Sequence, residues 1–150
     1  MRPALATLTT AVTGLLAGGM VFIEAVLLPF WRRSSPREFR EWFAVHSGQI
    51  RTVMIPLGAG SAALASATAV AEAVADDGPR PSSLVAACGA VGVVAITLTV
   101  NEPANAKFEQ VDFDDAETTR LLDRWARWHH VRVALGLASV LAAALTLRDA

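Results

Sequence analysis

Four long stretches of apolar residues, separated by shorter polar segments, are the main pattern in this sequence. Between consecutive charged residues, the first three stretches hold 21, 20 and 21 residues and the fourth holds 15. A helix needs about 20 mostly apolar residues to cross the hydrocarbon core of a bilayer, so the first three are long enough by themselves. The charge-free stretches are Pro3–Ile23, Thr52–Ala71, Pro81–Asn101 and Val133–Leu147.

The fourth stretch is short, but the residues before it suit a membrane interface. Amphipathic side chains precede it, and Arg132 can extend its charged group towards water or turn inward. The amphipathic residues are Trp125, Trp128, His129 and His130. We therefore predict four membrane spans, at about residues 7–31, 49–74, 82–101 and 128–147.

Helix-start signals extend two of these spans into longer helices. Residues 35–38 (Ser-Pro-Arg-Glu) form a capping box with proline at the first helical position. This predicts an amphipathic helix that merges into span two, while Asp114 or Asp115 can cap a helix that leads into span four. The predicted fold is all-α: one membrane domain over residues 1–150, an up-down-up-down four-helix bundle.

Composition agrees with the membrane class. Apolar residues make up 53% of the 150 residues, and the mean hydropathy is +0.42, above the usual range of a soluble domain. The formal net charge is −1, and no dense run of basic residues is available to track phosphates, so nucleic acid is not an expected partner. The single cysteine, Cys88, cannot build a disulfide framework within this chain.

Lysine and arginine are distributed unequally between the two ends of the predicted bundle. Ten of them follow spans one and three, whereas Arg2, Arg80 and Arg148 lie on the opposite side. Because cytoplasmic loops carry the excess of basic residues, we expect the long connections 1–2 and 3–4 in the cytoplasm and both termini outside. The abundance of alanine and arginine suggests a bacterial plasma membrane. The ten are Arg32, Arg33, Arg37, Arg40, Arg51, Lys107, Arg120, Arg124, Arg127 and Arg132.

Polar residues within or beside the spans collect at one end of the predicted bundle. Such side chains are costly inside a membrane, so each one suggests a functional site. Those late in spans one and three and those early in spans two and four meet at the same membrane face of an up-down bundle. They are Glu24, His46, Arg51, Asn101, Glu102, Asn105, His129, His130 and Arg132.

Helical phase selects among these candidates. At about 100 degrees per residue, Glu24 falls on a narrow stripe of small and polar residues in span one, which is expected to face the bundle. Trp125, His129 and Arg132 share a similar arc of span four, whereas His130 points elsewhere. We therefore prefer His129 to His130 for an inward role.

Each candidate also has a structural explanation. Glu24 could form an ion pair with Arg51 or Arg132, since a buried carboxylate needs a partner or must be protonated. His46 and His130 could lie at the interface or fill space.

Asn101, Asn105 and Trp125 also have structural explanations. Asn101 and Asn105 could stabilise the turn around Pro103, and Trp125 could belong to an aromatic belt. No helix carries a HxxxH, HxxE or ExxH pair, so no metal is predicted. No glycine-rich phosphate loop or cofactor fingerprint occurs either, so no organic cofactor is predicted.

Two motifs and a dipeptide point to a known family. Residues 101–105 (Asn-Glu-Pro-Ala-Asn) close the third span, residues 125–132 (Trp-x-x-Trp-polar-His-x-Arg) open the fourth, and Leu28-Pro29 ends a glycine-rich first span. With the span count and length, this pattern resembles the anthrone-oxygenase-like family over nearly the whole chain. One departure is His129, where family members usually carry asparagine.

The resemblance implies an oxygenase that converts an anthrone to an anthraquinone with molecular oxygen, without metal or flavin. His129 would act as the base, with Glu24 as its orienter or as the alternative base. Arg132 and Asn101 would stabilise the oxyanion. Candidates for contact with the substrate are Trp125, Asn105, His46 and His130.

The expected partners are a flat aromatic substrate, oxygen and the lipid bilayer. Two alternatives remain open: a non-catalytic four-helix membrane protein that binds a small apolar molecule or a partner protein, and a metal-dependent membrane redox protein. Gly14 and Gly18 have the GxxxG spacing of helix contacts. Tight packing within one bundle explains them more simply than a homo-oligomer, which is also possible.

Overall fold

Four helices long and apolar enough to cross a membrane account for most of the residues that the structure describes. The structure is a computed structural model, and it describes residues 2–75, 78–110 and 112–148. Each helix contains the residues predicted for its span, and the predicted all-α four-helix bundle is confirmed. Span one is Pro3–Arg33, span two is Pro36–Ala75, span three is Pro81–Phe108 and span four is Asp115–Arg148. The assignment of residues 1–150 to one domain stays a prediction.

The two predicted helix starts are built as the sequence indicates. The backbone N–H of Ser35 donates to the carboxylate of Glu38 at 2.8 Å, and the N–H of Glu38 donates to the Ser35 hydroxyl at 3.3 Å. This reciprocal pair is a capping box. Asp114 rather than Asp115 caps span four, since its carboxylate accepts the N–H of Glu117 at 2.8 Å. Both amphipathic leaders continue into their spans without interruption.

Spans one and three each contain a five-residue π-helical turn near the polar end of the bundle. The turns are Ile23–Leu27 and Thr97–Asn101, here named π1 and π2. In both, the residue after the turn donates its N–H to the carbonyl five residues earlier, and a proline follows it (Pro29 or Pro103). Proline has no N–H, and its ring clashes with the carbonyl four residues back. The wider turn gives this ring space, and π turns are frequent at functional sites.

At the end of the bundle that holds the start of span one, the helices pack through small residues. Hydrogen bonds link the spans there: the Thr9 and Thr68 hydroxyls lie 2.9 Å apart, and the Ser139 hydroxyl donates to the Ala86 carbonyl at 2.8 Å. Small residues let helix backbones approach closely in lipid. We call this region the packed end; its core cluster is Ala65, Ala86, Ala90, Ala142 and Ala143.

Large rings fill the opposite end, which we call the aromatic end. Trp31 is its centre, with ring centroids 5.5 Å from Trp125 and 5.7 Å from Phe43. Arg40, which is 4% exposed, joins spans two and four by donating to the Thr118 hydroxyl at 2.7 Å. The core cluster here includes Ile23, Leu28, Trp31, Phe39, Phe43, Ala104, Phe108, Leu122, Trp125 and Ala126.

Candidate functional site

A cavity of about 260 Å³ lies between the four spans, next to the aromatic end and towards the middle of the bundle. Its wall is mostly apolar, with Trp31 and Trp125 among the contributing side chains. Of the eight residues that the resemblance assigns to the reaction or to substrate contact, three line it, namely Asn105, Trp125 and Arg132. Arg51 and Glu102, which the sequence placed at the same end of the bundle, line it as well. The polar residues of the wall are Ser47, Arg51, Thr97, Glu102, Asn105 and Arg132.

A chain of hydrogen bonds crosses the polar side of this wall. The Trp125 indole N–H donates to Asn105 Oδ1 at 3.0 Å, and the Asn105 amide donates to Glu102 Oε1 at 2.7 Å. The other carboxylate oxygen of Glu102 accepts from Arg51 Nε at 3.1 Å. Spans two, three and four are therefore joined beside the cavity, and the Trp125 ring is fixed in its plane.

The chain continues through two residues that the sequence analysis did not select. Glu109 Oε1 accepts from Arg51 Nη1 and from the Ser47 hydroxyl, both at 2.6 Å. Glu102, Asn105 and Glu109 are spaced i, i+3 and i+7, so they lie on one side of the last turns of span three, with Glu109 as the residue that follows its end at Phe108. This spacing was the available signal for Glu109, whereas nothing in the sequence pointed to Ser47.

Arg132 is the buried cation of the cavity wall. The residue is only 7% exposed, and its Nε has no hydrogen-bond partner. Across residues 2–75, 78–110 and 112–148, no side chain forms an ion pair with it. Glu102 acts on it electrostatically, but the Glu102 carboxylate is already paired with Arg51. A buried guanidinium beside an apolar cavity can stabilise an anion or a developing negative charge there.

His129 lies behind the cavity wall rather than in it. Its ring is fully buried and stacks on Trp125, with centroids 4.8 Å apart and planes 18° apart. His129 Nε2 lies 3.1 Å from the Met20 carbonyl, so this nitrogen is the donor. Nδ1 then keeps its lone pair and has no partner within the described part of the chain.

Glu24 forms a second cluster with the two adjacent histidines. Its Oε1 lies 2.7 Å from His130 Nε2, and its Oε2 lies 3.9 Å from His129 Nε2. Glu24 therefore pairs with His130 instead of Arg51 or Arg132, and it does not line the cavity. Because Glu24 belongs to π1, its direction differs from that on a regular α-helix.

The remaining candidates lie apart from the cavity. Asn101 is fully buried in π2, where its amide donates to the Trp125 carbonyl at 3.5 Å. His46 stacks on Trp42 with centroids 4.5 Å apart, and its Nδ1 lies 2.7 Å from the Trp42 carbonyl. Within the described ranges, no three His, Cys, Asp or Glu side chains are placed to hold a metal ion.

The fold and the site define a class: a four-span membrane bundle with an apolar cavity beside a buried arginine at one end. The family model for anthrone oxygenase matches residues 39–142, more than half of the chain. The chain belongs to the anthrone oxygenase family, as its resemblance indicates. Both motifs, at residues 101–105 and 125–132, lie within the match, whereas Leu28-Pro29 precedes it. No curated protein and no solved structure matches the chain.

Proposed function

We propose that this protein is a membrane-embedded oxygenase that converts an anthrone-type aromatic polyketide to the anthraquinone with molecular oxygen. The observation that carries the proposal is the apolar cavity of about 260 Å³ beside the buried Arg132 guanidinium. Its volume is near the lower end of ligand pockets, about 300 to 1,000 Å³. Membership of the anthrone oxygenase family supports the same reaction.

The reaction exchanges the central methylene of the substrate for a carbonyl. A base removes one methylene proton, and the carbanion is delocalised over the ring carbonyl and phenols. This anion gives its electrons to oxygen, and the new C–O bond gives a peroxide anion, which takes the first proton back from the base and becomes a hydroperoxide. Loss of the second methylene proton breaks the O–O bond, so one anthrone and one O₂ give one quinone and one water.

Arg132 and Trp125 have the clearest roles in this reaction. The Arg132 guanidinium stabilises the negative charge that moves to the ring oxygens, and low polarity around it strengthens this interaction. The Trp125 ring, fixed by Asn105, limits the orientation of a flat substrate. Both side chains line the cavity, so neither must move to reach a bound molecule.

Two groups compete for the role of base. Glu102 lines the cavity, but both of its oxygens accept hydrogen bonds, from Arg51 and Asn105. His129 has a free Nδ1, but the residue stands behind Trp125 and outside the cavity wall. A general base must reach the proton that it removes. Glu102 can reach a molecule in the cavity from its present position, whereas His129 can reach one only if Trp125 moves aside.

Turnover of a supplied anthrone by membranes that contain the protein tests the proposal. Quinone formation and oxygen uptake should rise together, one molecule of each per turnover. Glu102→Gln should lower the rate at least about 100-fold if Glu102 is the base, and His129→Ala should do so if His129 is the base. Glu41→Gln, which changes an exposed carboxylate outside the cavity, is the control. Absence of quinone formation by the unmodified protein would overturn the oxygenase assignment.

A non-catalytic binder of a small apolar molecule is the second candidate. The position of the two predicted bases, His129 and Glu24, outside the cavity wall favours it, because neither side chain reaches a molecule in the cavity from its present position. Joint substitution of Glu24, His129 and Arg132 separates the two functions. If the protein is an oxygenase, the triple variant loses turnover. If it is a binder, the variant still binds the small apolar molecule.

The proposed orientation places the aromatic end at the cytoplasmic face of a bacterial plasma membrane, following the excess of basic residues there. Two variants, Ser34→Cys and Gly78→Cys, are each made together with Cys88→Ser, so that each protein has a single thiol. This thiol lies at the aromatic end in the first variant and at the packed end in the second. In intact cells, a membrane-impermeant maleimide should label Cys at position 78 and not at position 34. The reverse labelling would invert the topology.

A further inference from the structure

The cavity wall is closed on two sides and open on the others. The residues that spans one and four contribute are buried, such as Leu16, Trp31 and Arg132, which are at most 7% exposed. On spans two and three, Ile55 is 55% exposed and Leu98 is 64% exposed, yet both line the cavity. A side chain that both lines a cavity and is largely exposed marks an opening.

Two contacts between spans two and three limit this opening along the helix axes. On the side of the packed end, a Cβ built on Gly58 would lie 3.8 Å from Val94, so the helices touch there. On the other side, the Arg51–Glu102 ion pair joins them at 3.1 Å. These two contacts are seven residues apart along span two (Arg51 to Gly58) and eight residues apart along span three (Val94 to Glu102). At 1.5 Å per residue, the opening is about 10 to 12 Å high along the helix axes. This height exceeds the thickness of an aromatic ring system, which is about 3.5 Å.

The π2 turn, Thr97–Asn101, lies at the level of this gap. It contains Leu98, and it packs against span four more than against span two. The regular part of span three before it, Pro81–Ile96, packs closely against span two. Spans two and three therefore separate where the π turn begins.

The opening faces the part of the bundle expected to lie in hydrocarbon. Ile55 and Leu98 fall within the predicted spans at about residues 49–74 and 82–101. Neighbouring exposed side chains on the same two helices, such as Val53 and Val91, are also apolar. A molecule that crosses this opening therefore comes from the acyl chains rather than from water.

We propose that the substrate reaches the cavity laterally from the bilayer, through an opening between spans two and three. Ile55 and Leu98 flank it, the Gly58–Val94 contact limits it on one side, and the Arg51–Glu102 ion pair limits it on the other. The substrate class, a flat apolar aromatic ketone, rests on the proposed function; the route rests on the exposed residues of the cavity wall.

Photolabelling with benzophenone dissolved in the bilayer tests the route without requiring turnover. Benzophenone is an apolar aromatic ketone that forms covalent bonds with nearby C–H groups when irradiated. In proteoliposomes of the unmodified protein, mass spectrometry should find the label on Leu16 and Val93, which line the cavity and are at most 3% exposed. The double variant Ile55→Phe with Leu98→Phe should reduce this labelling at least tenfold after short irradiation.

The matched control is Val53→Phe with Val91→Phe, which adds the same two rings to the lipid-facing surface of the same helices, outside the cavity wall. This control should label Leu16 and Val93 as the unmodified protein does. Equal labelling in the Ile55/Leu98 variant would overturn the lateral route and leave the oxygenase assignment intact. Absence of label on Leu16 and Val93 in the unmodified protein would overturn the route and the binding of aromatic ketones by the cavity.

Discussion

The packed end and the aromatic end use the same four helices in opposite ways. At the packed end, alanine, glycine, serine and threonine bring the backbones together: a Cβ added to Gly89 would lie 2.9 Å from the Leu135 carbonyl oxygen. At the aromatic end, large rings fill the core, and a cavity of about 260 Å³ lies beside them, lined in part by residues of the two π turns. Small side chains therefore accompany the close approach of the backbones, and large rings accompany the cavity.

The two ends also differ in how their buried polar groups are paired. At the packed end, buried hydroxyls such as those of Thr9 and Ser139 pair with another hydroxyl or with a carbonyl, whereas the buried hydroxyl of Ser61 in span two has no partner among the described residues. At the aromatic end, buried atoms of Glu24, Asn101 and Arg132 have no hydrogen-bond partner among the described residues. Among the described residues, unpaired buried polar atoms are therefore more frequent at the aromatic end.

Arg132→Met should give the largest difference between the two ends. Removing a group that stabilises transition-state charge typically costs about 100-fold to 1,000-fold in turnover, so quinone formation should fall by at least that lower factor. Thermal stability in detergent should be unchanged or higher, because the substitution removes a buried charge without an ion-pair partner in the described chain.

Arg127→Met is the control, since Arg127 is exposed on the same helix. It should retain both turnover and stability. If Arg132→Met lowers the amount of folded protein by the same factor as it lowers turnover, Arg132 supports the fold instead of the reaction.

Gly89→Ala should destabilise the packed end. The new methyl group would lie 2.9 Å from the Leu135 carbonyl oxygen and 3.0 Å from the Ser139 Cβ, and such overpacking costs about 1 to 3 kcal/mol. Unfolding in mixed detergent micelles measures this cost. Turnover per folded molecule should be unchanged, because Gly89 does not line the cavity.

Gly18→Ala is the matched control, because a Cβ at Gly18 meets nothing within 4 Å. Alanine is the better helix former, so this variant should be more stable by about 0.5 to 1 kcal/mol. Destabilisation of both variants by the same amount would mean that tight packing at Gly89 is not the cause.

Thr9→Val should give the smallest effect. It removes one hydrogen bond between spans one and two, and such bonds average about 0.6 kcal/mol in membrane bundles. Thr68 keeps its own bond to the Leu64 carbonyl at 2.9 Å, so no group is left without a partner. A double-mutant cycle with Thr68→Val measures the coupling, and exposed Thr7→Val is the control. A coupling of zero would show that the 2.9 Å contact contributes nothing.

The helices and their starts could be predicted from the sequence because they depend on local properties. Apolar length located the spans, and the Ser35–Glu38 spacing located a cap. The two motifs also indicated the family. These features need no knowledge of how one helix is rotated relative to its neighbours.

Contacts between helices were predicted less well, because they depend on that rotation. A uniform 100 degrees per residue places Glu24 on the inward stripe of span one, but π1 changes the phase at that residue. Buried residues there are Ile23 and Leu28, five positions apart. The Arg51–Glu102–Glu109 network likewise joins two spans through side chains whose facing directions the sequence does not specify.

On the proposed lateral route past the exposed side chains of Ile55 and Leu98, the concentration of substrate in the lipid, rather than in water, sets the rate of turnover. For a substrate that arrives from the acyl chains, the relevant concentration is its mole fraction in the lipid, so its apparent KM in water falls as its partition coefficient into lipid rises. At a fixed total amount of substrate, added lipid dilutes it and slows turnover, whereas added buffer has little effect. Ranking of inhibitors in water would then measure their solubility in the bilayer as much as their fit to the cavity.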